Sequence, residues 1–183
     1  VTASTGTAAS AARPLPSRYC ATRAATVSAR SLCVAPWLLP PDWPAPANVR
    51  ACVTTRAGGV SRAPFDSLNL RDEVGDDPAT VAANRATLHA AIGRPSLLLQ
   101  QVHGVDVLAL DAGNVAASNG AAFDACVTRD AGVVCTIMVA DCLPVLLAHQ
   151  SGAVVGAAHA GWRGLAGMPP GRAQQQGPLQ AGV

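Results

Sequence analysis

The chain has 183 residues, half of them hydrophobic and only 13% charged, which is enough for one domain with a sizeable core and too apolar for disorder throughout. Its formal charge of +2 hides an asymmetry: residues 1–40 hold four arginines (Arg13, Arg18, Arg23, Arg30) and no acid, whereas the remainder sets nine arginines against eleven acids, a formal −2. A mildly acidic body with one Tyr, two Phe and three Trp has neither the basic face nor the stacking platforms of a nucleic-acid binder, and no apolar run approaches the roughly 20 residues of a membrane span.

Residues 1–36 are small, polar and aperiodic, and are expected to lack structure. Their composition fits a transit peptide and equally fits GC-rich non-coding DNA read from a start codon placed too far upstream; we favour the second. The absence of Lys, with Arg, Ala, Gly and Pro abundant, points to the same coding bias, so Arg content is no argument for phosphate or nucleic acid.

From PPDWPAPANV onwards the character changes. VRACVTT (49–55) reads as a strand ending in a turn over 56–61, where Gly58-Gly59 permits positive φ and a close approach of backbone to something. The polar stretch DSLNLRDEVGDDP reads as loop. Asp77 as N-cap and Pro78 in the first turn predict a helix, with Val81, Leu88 and Ile92 on one face, running to about Gly93. LLLQQV (97–102) and VDVLAL (105–110) read as two strands joined tightly at His103-Gly104.

A small-residue loop then leads to FDACVT (123–128). The runs 132–140, 143–149 and 152–159 predict three buried strands, broken at Asp141-Cys142 and at Gln150-Ser151-Gly152. The whole reads as one mixed α+β domain dominated by strands, over residues 37–167. Residues 168–183 carry Pro169-Pro170 and a Gln- and Gly-rich run with little to bury, and are expected to form an aberrant, unstructured tail.

Three residues with metal-ligand chemistry fall where strands meet turns: His103, Cys142 and His159. Taken singly, each is also an ordinary core residue. Two imidazoles and a thiolate suit zinc, with copper as second choice, and three protein ligands leave one position open for chemistry. The six cysteines (20, 33, 52, 126, 135, 142) have no disulfide-framework spacing and no C-x2-C pair, which fits free thiols in a reducing cytoplasm.

TTRAGGVS (54–61), DSLNL (66–70), VGDDP (74–78), ANR (83–85), QQVHG (100–104), FDACVT (123–128), ADCLPVLL (140–147) and AAHAGWRGL (157–165) occur in an order that resembles the laccase-domain family. Its members were long labelled multicopper polyphenol oxidases and are now understood as purine nucleoside phosphorylases. The resemblance implies a four-layer α/β/β/α sandwich, similar to a bacterial glutamine-deamidating toxin domain and incomplete at its C-terminal part. It also implies zinc held by His103, Cys142 and His159, and phosphorolysis of adenosine, inosine and S-methyl-5′-thioadenosine with adenosine deamination alongside. With four histidines in all, the chain cannot furnish several copper centres.

Purine nucleoside and phosphate are therefore the expected partners. Arginine suits phosphate because its planar fork grips two oxygens at once, which makes Arg56 and Arg163 anion-binding candidates, with plain surface solvation as the alternative for both. Asp141 abuts the Cys ligand and either orients a ligand or acts as a base. Gln101 and Asn69 are candidate substrate contacts, and such residues also satisfy turn backbones. Asn84, Arg85, His89 and His149 are expected to be structural or exposed. Two other readings stay open: a cysteine hydrolase or amidase with Cys142 as nucleophile and a His base, and a non-functional gene fragment. Strands deprived of partners by a shortened chain would expose edges and apolar faces.

Overall fold

Asp77 begins the single α-helix of the described residues: its side chain accepts from the Thr80 amide, Pro78 follows, and Gly93 closes the other end in the left-handed conformation at φ 69°. This helix, α1, spans Pro78–Ile92 and buries Val81, Asn84, Leu88 and Ile92. The structure, a computed structural model, describes residues 23–28, 35–94 and 96–161. Around α1 are arranged the strands β1 (Arg23–Ser28), β2 (Leu38–Leu39), β3 (Arg50–Thr54), β4 (Val107–Leu110), β5 (Ala125–Thr128), β6 (Cys135–Val139), β7 (Leu143–Ala148) and β8 (Val155–Ala160). The expected tail over 168–183 lies outside the described residues, as do Cys20, Cys33 and Arg163.

The described residues form two four-stranded sheets, in the orders β2-β3-β1-β6 and β4-β5-β8-β7. The first is antiparallel throughout, and the second has one parallel pair, β4 with β5. Alternation along β6 shows how they stack. Cys135, Ile137 and Val139 join Leu110, Cys126, Val155 and Ala157 in a cluster between the sheets, while Met138 joins Cys52, Leu88 and Ile92 under the helix. A strand buried on both faces reads as an unbroken apolar run, which is why 132–140 looks so hydrophobic. The observed layers are helix, sheet and sheet, an α+β arrangement.

Three expectations need correction. Arg23–Ser28 lies in the head expected to be structureless, yet it pairs with both β3 and β6, for example Ala25 with Val53 and with Ile137. Thr26-Val27 is a lone β-branched pair with weak local signal, and the strand's pairing comes from two neighbours that would otherwise each present an open ladder. The predicted strand over 97–102 is extended and buried but joins no ladder. Its hydrogen bonds go to a loop instead: Leu98 N to Asn119 Oδ1, Gly120 N to Leu98 O, and Gln100 N to Ala121 O. Leu97 and Leu99 point into the inter-sheet cluster and Leu98 into the helix-side one, so packing mimics a strand without the pairing. Finally, β7 is an edge strand and only partly buried, with Leu143 53% exposed.

The close approach foreseen at Gly58-Gly59 is real, but it is to the protein itself. Gly58 has φ 94°, and a Cβ there would stand 2.6 Å from the Trp37 ring. A Cβ on Gly59 would overlap Ser67 O and stand 2.5 Å from Asn84 Oδ1. Asn84, fully buried on α1, pins this loop by accepting from Val60 N and donating to Ser61 Oγ, Ser67 O and Asn69 O. Arg85 adds a bond to Leu70 O and an ion pair with Asp72. The loop from 58 to 72 is thus tied to the helix, and it forms one wall of the cleft described next.

Candidate metal centre

His159 sits at the end of β8 on the same face as Val155 and Ala157, so it faces inwards where the inter-sheet core stops. Cys142 occupies the break between β6 and β7, and His103 lies in the segment before β4. Their donor atoms lie within 4.8 Å of one another, and the two imidazoles meet edge to face with centroids 4.8 Å apart at 81°. Gly161 backs this group. A Cβ there would come 3.1 Å from His103 Cδ2, 3.8 Å from His159 Cε1 and 3.9 Å from Cys142 Sγ, so a side chain at this position would press into the site.

Asp124, a buried residue of FDACVT that was not singled out from the sequence, organises the group. Its Oδ1 accepts from His159 Nδ1 at 2.8 Å and from the His103 amide at 2.9 Å; its Oδ2 accepts from the amides of Val102 and Gly104 at 3.1 and 2.6 Å. Three consecutive amides turned onto one carboxylate form a nest, and His103 adopts φ 60° within it. A left-handed backbone costs a non-glycine residue on the order of 1 kcal/mol, and these three bonds hold it there. Burial pushes the Asp124 carboxyl up, but the His159 bond and charge and the Gly104 and His103 amides outweigh it and keep the group below its ordinary range. An ionised carboxylate only accepts, so His159 Nδ1 donates to it and Nε2 is the ring nitrogen left to face an ion.

The donor set fits one zinc ion, with two imidazoles and a thiol gathered around one point and a carboxylate fixing one ring. Cys142 Sγ donates to Asp141 Oδ1 at 3.5 Å, and exposed Asp141 lines the cleft beside it. Cys135 differs. It is fully buried in the inter-sheet cluster, where its hydrogen bond with the neighbouring Cys126 thiol and burial push its own thiol far up.

The cleft that opens on the three donors has a volume of about 180 Å³ and is also lined by Phe65, Arg71, Val74, Gln101 and Met138. Gln101 is in it, with its amide committed: Nε2 donates to Met138 O and Oε1 accepts from Met138 N, completing the edge of β6. Arg56 is not among the lining residues; it is exposed and holds Asp66 through Nε to the carbonyl and Nη2 to the carboxylate. Asn69 is fully buried behind the wall, bonded to Arg71 and Asp76. His89 reaches Ser96 O and His149 turns onto Ser151, both away from the metal group.

The Asp76 carboxyl anchors the same wall. Burial raises its pKa, but the Ser61 hydroxyl, the Asn69 amide and the Asp77 amide lower it further against the charge of Asp77, leaving it below its ordinary value of 3.8. A depressed pKa contributes stability that is present above the unfolded value and is lost as pH falls through the folded one. Thermal melting of the chain should therefore lose stability below about pH 4, and an Asp76→Asn chain should show a shallower acid-side loss. Identical acid profiles would remove Asp76 from that role.

Residues 50–173 match the family described as multi-copper polyphenol oxidoreductase laccase. The chain belongs to this family. It is 58% identical over 131 residues to purine nucleoside phosphorylase PA4543 of Pseudomonas aeruginosa, covering 71% of this chain and 51% of that protein. It is 52% identical over 130 residues to purine nucleoside phosphorylase YfiH of Escherichia coli, covering 70% and 52%. Among solved structures, Neisseria meningitidis protein NMB0706 aligns with TM-score 0.66 at 46% identity, over 72% of this chain and 53% of that one. The chain thus spans about half the length of these relatives. No helix among the described residues is long and apolar enough to cross a membrane.

Proposed function

We propose that this chain carries the metal-binding part of a zinc-dependent purine nucleoside phosphorylase acting on adenosine, inosine and S-methyl-5′-thioadenosine, with adenosine deamination as a second reaction. The observation that carries the reading is the gathering of His103, Cys142 and His159 within 4.8 Å along one cleft, in a chain whose relatives are named purine nucleoside phosphorylases. When bound, zinc supplies a Lewis-acidic charge able to polarise a substrate group or a water. In phosphorolysis a phosphate oxygen bonds to C1′ as the C1′–N9 bond breaks. The bonding pair leaves with the purine, which ends with the proton that the hydrogen phosphate brought.

Phe65 and Val74 give the cleft an apolar side suited to a flat base, and Asp141 stands where it can orient the Cys142 ligand or a substrate hydroxyl. At about 180 Å³ the cleft is smaller than the roughly 300–1,000 Å³ of sites that enclose drug-sized ligands. In this reading Arg163 is a candidate phosphate ligand, and the fold is a four-layer α/β/β/α sandwich.

The test is zinc content together with purine release. The chain should retain about one zinc after dialysis and release free purine base from inosine only when phosphate is present. Cys142→Ala should abolish zinc retention; full occupancy in that variant would refute the three-ligand set. A metal-free wild-type chain whose Cys142 alkylates readily at neutral pH would support a cysteine nucleophile instead.

A further inference from the structure

Arg71 is the one cation among the described residues that lines the metal-side cleft. Resting on the phosphorolysis reading above, we propose that Arg71 holds the inorganic phosphate co-substrate and that Glu73 is the counter-ion it leaves when phosphate arrives.

Arg56 and Arg85 are each committed elsewhere, to Asp66 and to Leu70 and Asp72 respectively. Arg71 meets Glu73 through Nε alone, at 3.0 Å. The paired side chains are 29% and 58% exposed, and an ion pair this open to water is weak and readily exchanged. Among the described residues the two terminal nitrogens of the guanidinium have no partner, which leaves them for the bidentate grip that phosphate oxygens favour.

The backbone beneath is fixed. Asn69 accepts from the Arg71 amide at 3.1 Å and donates to the Arg71 carbonyl at 3.0 Å, and Asp76 accepts from the same Asn69 amide group. Asn69 thereby becomes a positioning residue for Arg71, with no substrate contact of its own. On its other side Arg71 borders a second hollow of about 100 Å³, shared with Glu73 and Gln100, which gives the guanidinium room to move between acid and anion. A fixed Cα, a weakly held head and a neighbouring hollow describe a side chain that trades partners.

The experiment uses the zinc-loaded full chain, inorganic phosphate as the probe, 31P NMR titration for binding, and initial rates of purine release. Arg71→Gln should weaken phosphate binding about tenfold or more and raise the phosphate KM in parallel, with the nucleoside KM little changed, and Arg71→Lys should recover part of the loss. Glu73→Gln is the deciding variant. If the pair only braces the loop, breaking it from either side should act alike. If Glu73 competes with phosphate, Glu73→Gln should tighten phosphate binding about threefold, opposite in sign to Arg71→Gln. Shifts of the same sign, or an Arg71→Gln chain with unaltered phosphate binding, would overturn the proposal. A wild-type chain that binds phosphate through Arg71 but releases no purine would leave the anion site standing and bring down the reaction; one that binds no phosphate would bring down the site.

Discussion

Asp124→Asn is expected to lower zinc affinity about ten- to a hundredfold and to destabilise the metal-free chain by about 3 kcal/mol. The reason is the count of acceptors. Each carboxylate oxygen of Asp124 takes two donors: the His103 amide and His159 Nδ1 on one, the Val102 and Gly104 amides on the other. Asparagine offers one oxygen, so its NH2 must face either pair of N–H groups, donor against donor. Losing the nest frees His103 from φ 60°, and losing the Nδ1 bond frees the His159 ring. Competition with a chromophoric chelator, run beside melting of the metal-free protein, separates the two effects. Affinity within about twofold of wild type would mean that the carboxylate does not position the ligands.

Ile137→Ala should cost about 2–5 kcal/mol in urea unfolding, because Ile137 is fully buried at the centre of β6 between the two sheets. Leu143→Ala, a deletion of the same size on the exposed edge strand β7, should change stability by no more than about 0.5 kcal/mol. Comparable losses at both positions would contradict the stacking, since it is the inter-sheet cluster that makes one leucine-sized side chain matter and the other not.

The contrast also marks where sequence reasoning succeeds and stops. Both ends of the helix were legible, because Asp77, Pro78 and Gly93 each solve a local problem of unsatisfied amides or left-handed backbone. The runs of β3, β5, β6, β7 and β8 were legible from apolar composition, and β6 most of all because both of its faces are covered. β1 was not, since a run with only two β-branched residues becomes a strand only through partners more than twenty positions away. The extended run at Leu97–Leu99 shows the converse. Its packing alternates as a strand's does, but its amides are claimed by a loop, and period alone cannot report where an amide goes.

At the site, residue chemistry and family resemblance pointed to His103, Cys142 and His159, and the structure brings them together. Arg56 and Asn69 sit in family motifs beside the cleft but serve the loop that walls it, one outside on Asp66 and one behind Arg71. Asp124 escaped notice because an acid between Phe123 and Ala125 reads locally as a bend. Its importance comes from three amides and an imidazole supplied by segments about 20 and 35 residues away, as the separations of its bonds record.

The placement of the three donors would make an ion held there a participant in folding. His103, Cys142 and His159 come from a loop, a strand break and a strand end, and no unfolded chain holds them together. Unfolding must therefore release whatever they bind, and the folded population rises with free metal as RT ln(1 + [metal]/Kd), about 2.7 kcal/mol at a hundredfold excess over Kd. The lifetime of this chain in a cell would then follow the free level of whichever metal it binds, so that starvation for that metal removes the protein itself.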